Sequence, residues 1–569
     1  MPRRPRPIRA WRLPDAPPAP TVQAASLETS LDHELVRALG ALPVLMPLMD
    51  QLGLRGIVKR HCAPAGASTT DLDPGLVTLL LVTNRLLAPA PLVHVQDWLA
   101  ETVLPDLLGV DAAQGNDDRL ARTLDVLTPH LDALWLDLVV AAIGTFDLDL
   151  SQLCYDITSI SFCGDYEEAE LVRYGYSRDH RPDRKQLELA TTVTVEAGVP
   201  LDYRVLVGNV ADRTTPVENL ARLQHLLSLL PARSGDAWEP LVISDRAMLT
   251  MEALVAYRGS GVHALGPLDP ALGQGHRSEL RSRGTRRRLL EAVTTEELAA
   301  APLAYRPQRA DRDPDWTSYH GVRRSVELPH PQTDQPPLTL TALVVFSPAK
   351  ARLDAQLRTT RLTRLETALT DLVGKLGKRP YTTPATVEKR VATLLRRHPA
   401  RTYLQVAVMG GNEEVPLGLQ WTRVEEALAE ATRLDGRYVL GTTDSRLAAN
   451  EMLTRSKRRD VPEKRFATVK GPLAVRPVYL HKEERIRALV FCTMVALLLF
   501  ALVELLLQRA GLAISGRTLI AQFASLCVLV LVFQDGSILR HLAGLSPPLA
   551  HLLQTLGLPS AARYLTAHA

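Results

Sequence analysis

Cysteine is scarce in this chain. Five residues (Cys62, Cys154, Cys163, Cys492, Cys527) are spread over 569, an odd number with no Cys-x-x-Cys pair. That argues against a disulfide framework or a cysteine-built zinc site and fits a reducing cytosol. A dominant charge is missing too: the net charge is +4, so nucleic-acid binding must be argued from local clusters, not from the total. The basic start, M-P-R-R-P-R-P-I-R-A-W-R, lacks the apolar stretch of a secretory signal. There is no internal repeat.

Long hydrophobic runs are also in short supply. Ala488–Val503 is apolar over 16 residues apart from Thr493, and Thr518–Phe533 contains Gln522 and Ser525. Both are near or below the ~18–20 residues of a spanning helix. Arg485, Arg487 and Arg509 flank the first run as they would at a membrane interface, but a helix buried on most sides is the preferred reading, with no membrane partner.

A hydrophobic content of 46% and a charged content of 22% are those of a globular protein, and the length allows roughly three or four domains. Residues 1–27, rich in Pro and Arg, read as a disordered basic arm. Residues 28–150 read as short helices broken by Gly and Pro, a module that could bind DNA. From 151 the pattern changes. L-C-Y-D-I-T-S-I-S-F is a strand, and L-E-L-A-T-T-V-T-V and V-P-L-D-Y-R-V-L-V form a hairpin across E-A-G. Thr215, Pro216 and Glu218 predict a helix start with a capping box. P-L-V-I-S-D is a short buried strand, followed by a helix and a further strand. Strand, strand, strand, helix, strand, helix, strand is the element order of an RNase H-like fold. The fold class is therefore α/β, with an RNase H-like core over 151–267 and 446–510, a β-rich insertion over 268–445, and helical modules at 28–150 and 511–569.

Three acids stand out on this frame. Asp156 lies on the first strand and Asp245 ends the fourth. Glu463 lies in S-K-R-R-D-V-P-E-K-R-F-A-T-V-K-G (Ser456–Gly471), among Arg459, Lys464, Arg465 and Lys470, and shares a helix face with Phe466 and Lys470. Together they suggest metal-dependent phosphoryl transfer on DNA. Each residue also has a plainer reading. Asp156 is equally a solvated strand residue and Asp245 a cap for the next helix. Asp460-Val461-Pro462-Glu463 reads as an N-cap followed by its N3 glutamate. Glu451, Glu483 and Glu484 are lesser candidates for the third acid. Arg459 and Lys470 could form a solvated face, and so could the arginine cluster Arg277, Arg281, Arg283, Arg286, Arg287 and Arg288. Trp316 and Trp421 read as packing residues, and His180 as a loop residue without a second histidine at ligand spacing.

These residues resemble the insertion-sequence DDE transposases of bacteria, in the branch with a β-rich insertion before the third acid. That family carries Tyr-x2-Arg-x3-Glu-x6-Lys, matched here by Arg459, Glu463 and Lys470, with Ser456 at the Tyr position. N-D-D-R-L-A-R-T-L-D (Asn116–Asp125), D-G-R-Y-V-L-G-T-T-D (Asp435–Asp444) and the stretch after Lys470 resemble one subgroup. Ala247 stands where the family usually has glycine. The resemblance implies that Asp156, Asp245 and Glu463 are catalytic and bind two divalent ions, Mg2+ with Mn2+ as the alternative. It implies that Arg459, Lys470, Lys464, Arg465 and Arg246 contact DNA, both the terminal inverted repeats and the target. It also implies a homodimer or larger synaptic complex, cytoplasmic and nucleoid-associated. Three rivals remain open: a decayed or co-opted DNA-binding relative, a structure-specific nuclease with the same core, and a membrane protein.

Overall fold

The computed structural model describes residues 31–565 except 63–71, 165, 167–168, 180, 211–214, 232–237, 246–248, 270–271, 273–283, 308–317, 333, 412–415, 476–477 and 479. The expected basic arm, Arg246, Ala247, Arg277, Arg281, Arg283, Trp316 and His180 lie outside the described residues. The chain forms two compact units, one of residues 1–243 and 458–569, the other of residues 244–457.

The first unit opens with strand β1 (Leu31–Ala38) and seven helices: α1 (Leu42–Leu52), α2 (Leu54–His61), α3 (Pro74–Leu87), α4 (Val95–Ala100), α5 (Leu104–Leu108), α6 (Asp117–Leu127) and α7 (Leu131–Phe146). Asn116 caps α6 by accepting from the Arg119 amide at 3.0 Å. Then come β2 (Gln152–Ser161), β3 (Gln186–Thr194), β4 (Pro200–Val207), α8 (Pro216–Ser228) and β5 (Leu241–Ser244), whose last residue starts the second unit. β3 pairs antiparallel with both β2 and β4, and the strand order is β4-β3-β2-β5. This is the arrangement of an RNase H-like core. The expected capping box at α8 is absent. Pro216 opens the helix, but Thr215 makes no side-chain cap, and Glu218 turns to Arg204 at 2.6 Å.

The second unit contains α9 (Met251–Tyr257), β6 (His263–Pro267), α10 (Thr285–Ala292), α11 (Thr295–Ala299), β7 (His320–Leu328), β8 (Leu338–Phe346), α12 (Pro348–Val373), α13 (Pro384–Arg396), β9 (Leu404–Met409), β10 (Gly418–Arg423), α14 (Glu425–Leu434), β11 (Arg437–Thr442) and α15 (Ala449–Ser456). Its strands β6, β11, β8 and β7 neighbour one another in that order, and β9 and β10 form a separate hairpin. Leu362, Leu365 and Leu369 of α12 pack with Leu404, and Trp421 lies half-buried against them as a packing residue.

The chain returns to the first unit through α16 (Asp460–Lys470), α17 (Glu483–Arg509), α18 (Gly516–Gln522), β12 (Cys527–Phe533), β13 (Ile538–Ala543) and α19 (Pro547–Thr555). α17 is the long apolar run. It packs against α1, α3, α6, α7, α16, α18 and β4. Two helical stretches, residues 117–146 and 483–509, are long and apolar enough to cross a membrane by length and composition, but 94% of the second one's apolar window is buried inside the protein. Its flanking arginines face protein as well. Arg485 pairs with Asp125 at 2.7 Å, Arg509 pairs with Glu196 at 2.8 Å, and Arg487 donates to the Val205 carbonyl at 3.0 Å.

The second apolar run divides into α18 and β12. The modules expected to be helical at both ends of the chain therefore share a three-stranded sheet, β1-β12-β13. The physical cause is local. Cys527–Phe533 reads C-V-L-V-L-V-F, rich in β-branched residues, and Asp535-Gly536 makes the turn, with Gly536 at φ +81° and the Ser537 amide donating to Asp535 at 2.8 Å.

Candidate active site

Asp156 sits half-buried in the middle of β2, opposite Thr191 of β3, with its Oδ1 accepting from the Ile157 amide at 2.8 Å. Side chains alternate along a strand, so Cys154, Asp156 and Thr158 share one face. Helix α16 lies along that face and is tied to it at both ends. The Cys154 thiol donates to the Arg458 carbonyl at 3.3 Å, just before the helix begins, and Lys470 at its last residue donates to the Thr158 hydroxyl at 2.8 Å. Asp156 lies midway between the two strand anchors, and Glu463 lies between the two helix anchors. Seven residues make almost two helical turns, so Glu463 shares the face from which Lys470 reaches β2. The two acids thus lie on elements packed against each other, Asp156 on β2 and Glu463 on α16.

Glu463 is exposed and does not cap its helix. The N-cap is Arg459, and Asp460 is already the first helical residue, paired with Lys464 at 2.9 Å. The capping reading of Asp460 and Glu463 is therefore overturned. A 3-10 turn, Lys457–Arg459, carries the chain from α15 into the helix, so no free N-terminus remains for a side chain to cap. Two of the three lesser acids have structural roles: Glu451 accepts from the Ala448 amide at 3.0 Å and pairs with Arg455, and Glu483 accepts from the Leu171 amide at 2.7 Å. Ser456, at the family's tyrosine position, is buried and donates to the Leu453 carbonyl at 2.7 Å.

The basic residues divide by helical position. Arg459 and Lys464 are exposed. Lys470 is mostly buried, paired with Asp179 at 2.7 Å as well as bonded to Thr158. Arg465 points inward. Its side chain is 7% exposed, pairs with Glu504 of α17 and donates to the Ala197 carbonyl at 2.7 Å. This corrects the expectation that Arg465 meets DNA, because Pro462, Phe466 and Val469 define the buried face of α16 and Arg465 falls on it. Of the arginine cluster, Arg287 pairs with Glu430 at 2.9 Å and with Glu291. Burial first, then the Asp460 and Asp156 carboxylates, pushes the Cys154 thiol up to about 12 and leaves it neutral beside the acids.

The β3–β4 turn also fixes α16. Gly198 has φ +55°, and a Cβ there would sit 2.6 Å from Arg465 Nε and 2.9 Å from Val461 Cγ1. Gly198→Ala should destabilise the protein by about 1–3 kcal/mol through the left-handed backbone and the clash, read as a lower denaturant midpoint. An unchanged midpoint would show that the turn does not brace the helix.

Asp245 belongs to the second unit, follows β5 directly and is exposed. Among the described residues, no group of three or more His, Cys, Asp or Glu side chains is gathered so as to hold a metal ion. Asp156, Asp245 and Glu463 would offer carboxylate oxygens, a donor set that fits a hard divalent cation.

The comparisons give the family. Residues 147–499 match the transposase DDE domain, and residues 35–139 match a domain of unknown function, DUF4277. The chain belongs to the DDE transposases. No curated protein matches it. Among solved structures, a piggyBac transposase in a synaptic complex with hairpin DNA aligns over 84% of this chain and 80% of its own, at 8% identity and a TM-score of 0.39.

Proposed function

We propose that this transposase binds the terminal inverted repeats of its own insertion sequence, cuts DNA there and joins the freed end to a target. The observation that supports it is the anchoring of α16, the helix of Glu463, along β2, the strand of Asp156. In this reading Asp156, Asp245 and Glu463 hold two divalent ions, Mg2+ or Mn2+. When bound, such ions lower the cost of charge on the attacking and leaving oxygens of an in-line displacement at phosphorus. The nucleophile is first water and then the freed 3′-hydroxyl. Arg459 and Lys464 hold phosphates of the end, contacts that position DNA without reading its bases. Lys470 acts one step back, holding α16 to the strand through Thr158 and Asp179. Two ends require two active sites, so the working form is a dimer or larger assembly.

The test is cleavage of a labelled duplex carrying the element's own end. Nicking at the end with Mg2+, abolished by EDTA and restored by Mg2+ or Mn2+, is the expected result. Binding without nicking under every metal condition would support a decayed DNA-binding relative. Nicking without any joining to a second duplex would support a structure-specific nuclease.

A further inference from the structure

The positive charge of this chain is not evenly spread. Between Pro348 and Arg401 there are thirteen lysines and arginines against four aspartates and glutamates, a net +9 in a chain whose total is +4. This stretch is the helical hairpin α12–α13 of the second unit with its connecting loop. Apolar residues hold the two helices: Leu372 of α12 packs with Val387 and Val391 of α13. Two of the four acids are already used by cations, Asp354 by Lys350 and Glu366 by Arg423. Many of the remaining cations point outward. Arg361 and Arg364 on α12, and Lys389, Arg390, Arg396 and Arg397 on or beside α13, are all exposed, and none has an ion-pair partner among the described residues.

We propose that the outer face of the α12–α13 hairpin is a second DNA-binding surface, one that holds the phosphate backbone of duplex DNA without regard to sequence. It rests on the transposase reading and adds to it a DNA contact made by the second unit. Charge and spacing both favour a polyanion. The pairs Lys389/Arg390 and Arg396/Arg397 are seven residues apart, about 10 Å along the helix, comparable with the roughly 12 Å width of a B-DNA major groove between its phosphate walls. Unpaired cations release counterions from DNA when they bind, which is the physical source of sequence-independent affinity. A surface that serves only solubility usually intersperses the two signs, whereas a strong single-sign field suits the steering of an oppositely charged partner.

The experiment uses the full chain and two duplexes, one with the element's end and one of unrelated sequence, titrated across a range of salt. The variant replaces Lys389, Arg390, Arg396 and Arg397 with alanine. All four are exposed, so folding should survive, checked by the thermal unfolding midpoint. For the unrelated duplex, the slope of log affinity against log salt should flatten by about 2–4, on the order of one unit for each phosphate no longer neutralised. End-specific nicking at low salt should continue. An unchanged slope, with wild-type protein that binds DNA, would overturn the proposal and assign the face to another partner, such as an acidic protein. Failure of the wild type to bind either duplex would instead count against the transposase reading itself. Restoration of the slope by a variant with lysine at all four positions would confirm that charge, not a specific side chain, holds the phosphates.

Discussion

Asp156→Asn and Glu463→Gln should each lower cleavage of the element's end by more than about 100-fold, with affinity for the end nearly unchanged. Changes to residues that merely support a metal ligand cost roughly 10–100-fold, and removal of a ligand's charge should exceed that. Both substitutions keep the side chain's size. Glu463 is exposed and caps nothing, so Gln there should leave stability within about 0.5 kcal/mol. Asp156 is half-buried and accepts a backbone amide at 2.8 Å, a bond that an Asn carbonyl can keep. Single-turnover cleavage beside filter binding and thermal unfolding separates chemistry from binding and folding. If Glu463→Gln still cleaves at the wild-type rate, the third acid is elsewhere. Asp245→Asn should behave as the other two do, and cleavage by that variant would exclude Asp245 from the chemistry.

The largest stability effect should come from Glu504→Ala, a decrease of about 3–5 kcal/mol. Glu504 of α17 is the charge partner of Arg465, whose side chain is only 7% exposed. Removing the acid strands a buried guanidinium, whose desolvation cost is then relieved only by its bond to the Ala197 carbonyl. Arg465 lies over the Phe500 ring with 5.9 Å between them, and Glu504 also accepts from the Gly516 amide at 3.3 Å. The pair therefore joins α16, α17 and the start of α18. Replacing both members by Arg465→Met and Glu504→Leu should cost much less than either single removal, because no unpaired charge remains. Chemical denaturation of the two single variants and the double variant gives the coupling directly. A single-variant decrease below about 1 kcal/mol would mean that water reaches Arg465 and the pair behaves as a surface one.

Much of the catalytic frame is legible in the chain because its signals are local. β-branched residues around Asp156, the E-A-G turn and the short apolar run before Asp245 each specify a strand within a few residues. Other features depend on neighbours distant in sequence. The C-terminal hairpin carries local signals in V-L-V-L-V and Asp535-Gly536, yet the same apolar run suits a buried or spanning helix, and its pairing partner, β1, lies some 490 residues earlier. Arg465 reads like Arg459 and Lys464 because all three are basic and close in sequence. Only the packing of Pro462, Phe466 and Val469 shows that its side of the helix faces the protein.

The sequence by itself determined the class of protein, through the order of strands and helices and the family resemblance carried by its motifs. Tertiary structure alone decided the setting of each charge. It turned the arginines around α17 from a membrane-interface pattern into partners of Asp125, Val205 and Glu196. It freed Glu463 from capping, buried Arg465 against Glu504, and left Lys389 and Arg390 exposed while Lys350 and Arg423 found carboxylates. The physical reason is that backbone preference is set by neighbours in sequence, whereas the solvation and pairing of a charge are set by whatever the fold places within a few ångströms of it.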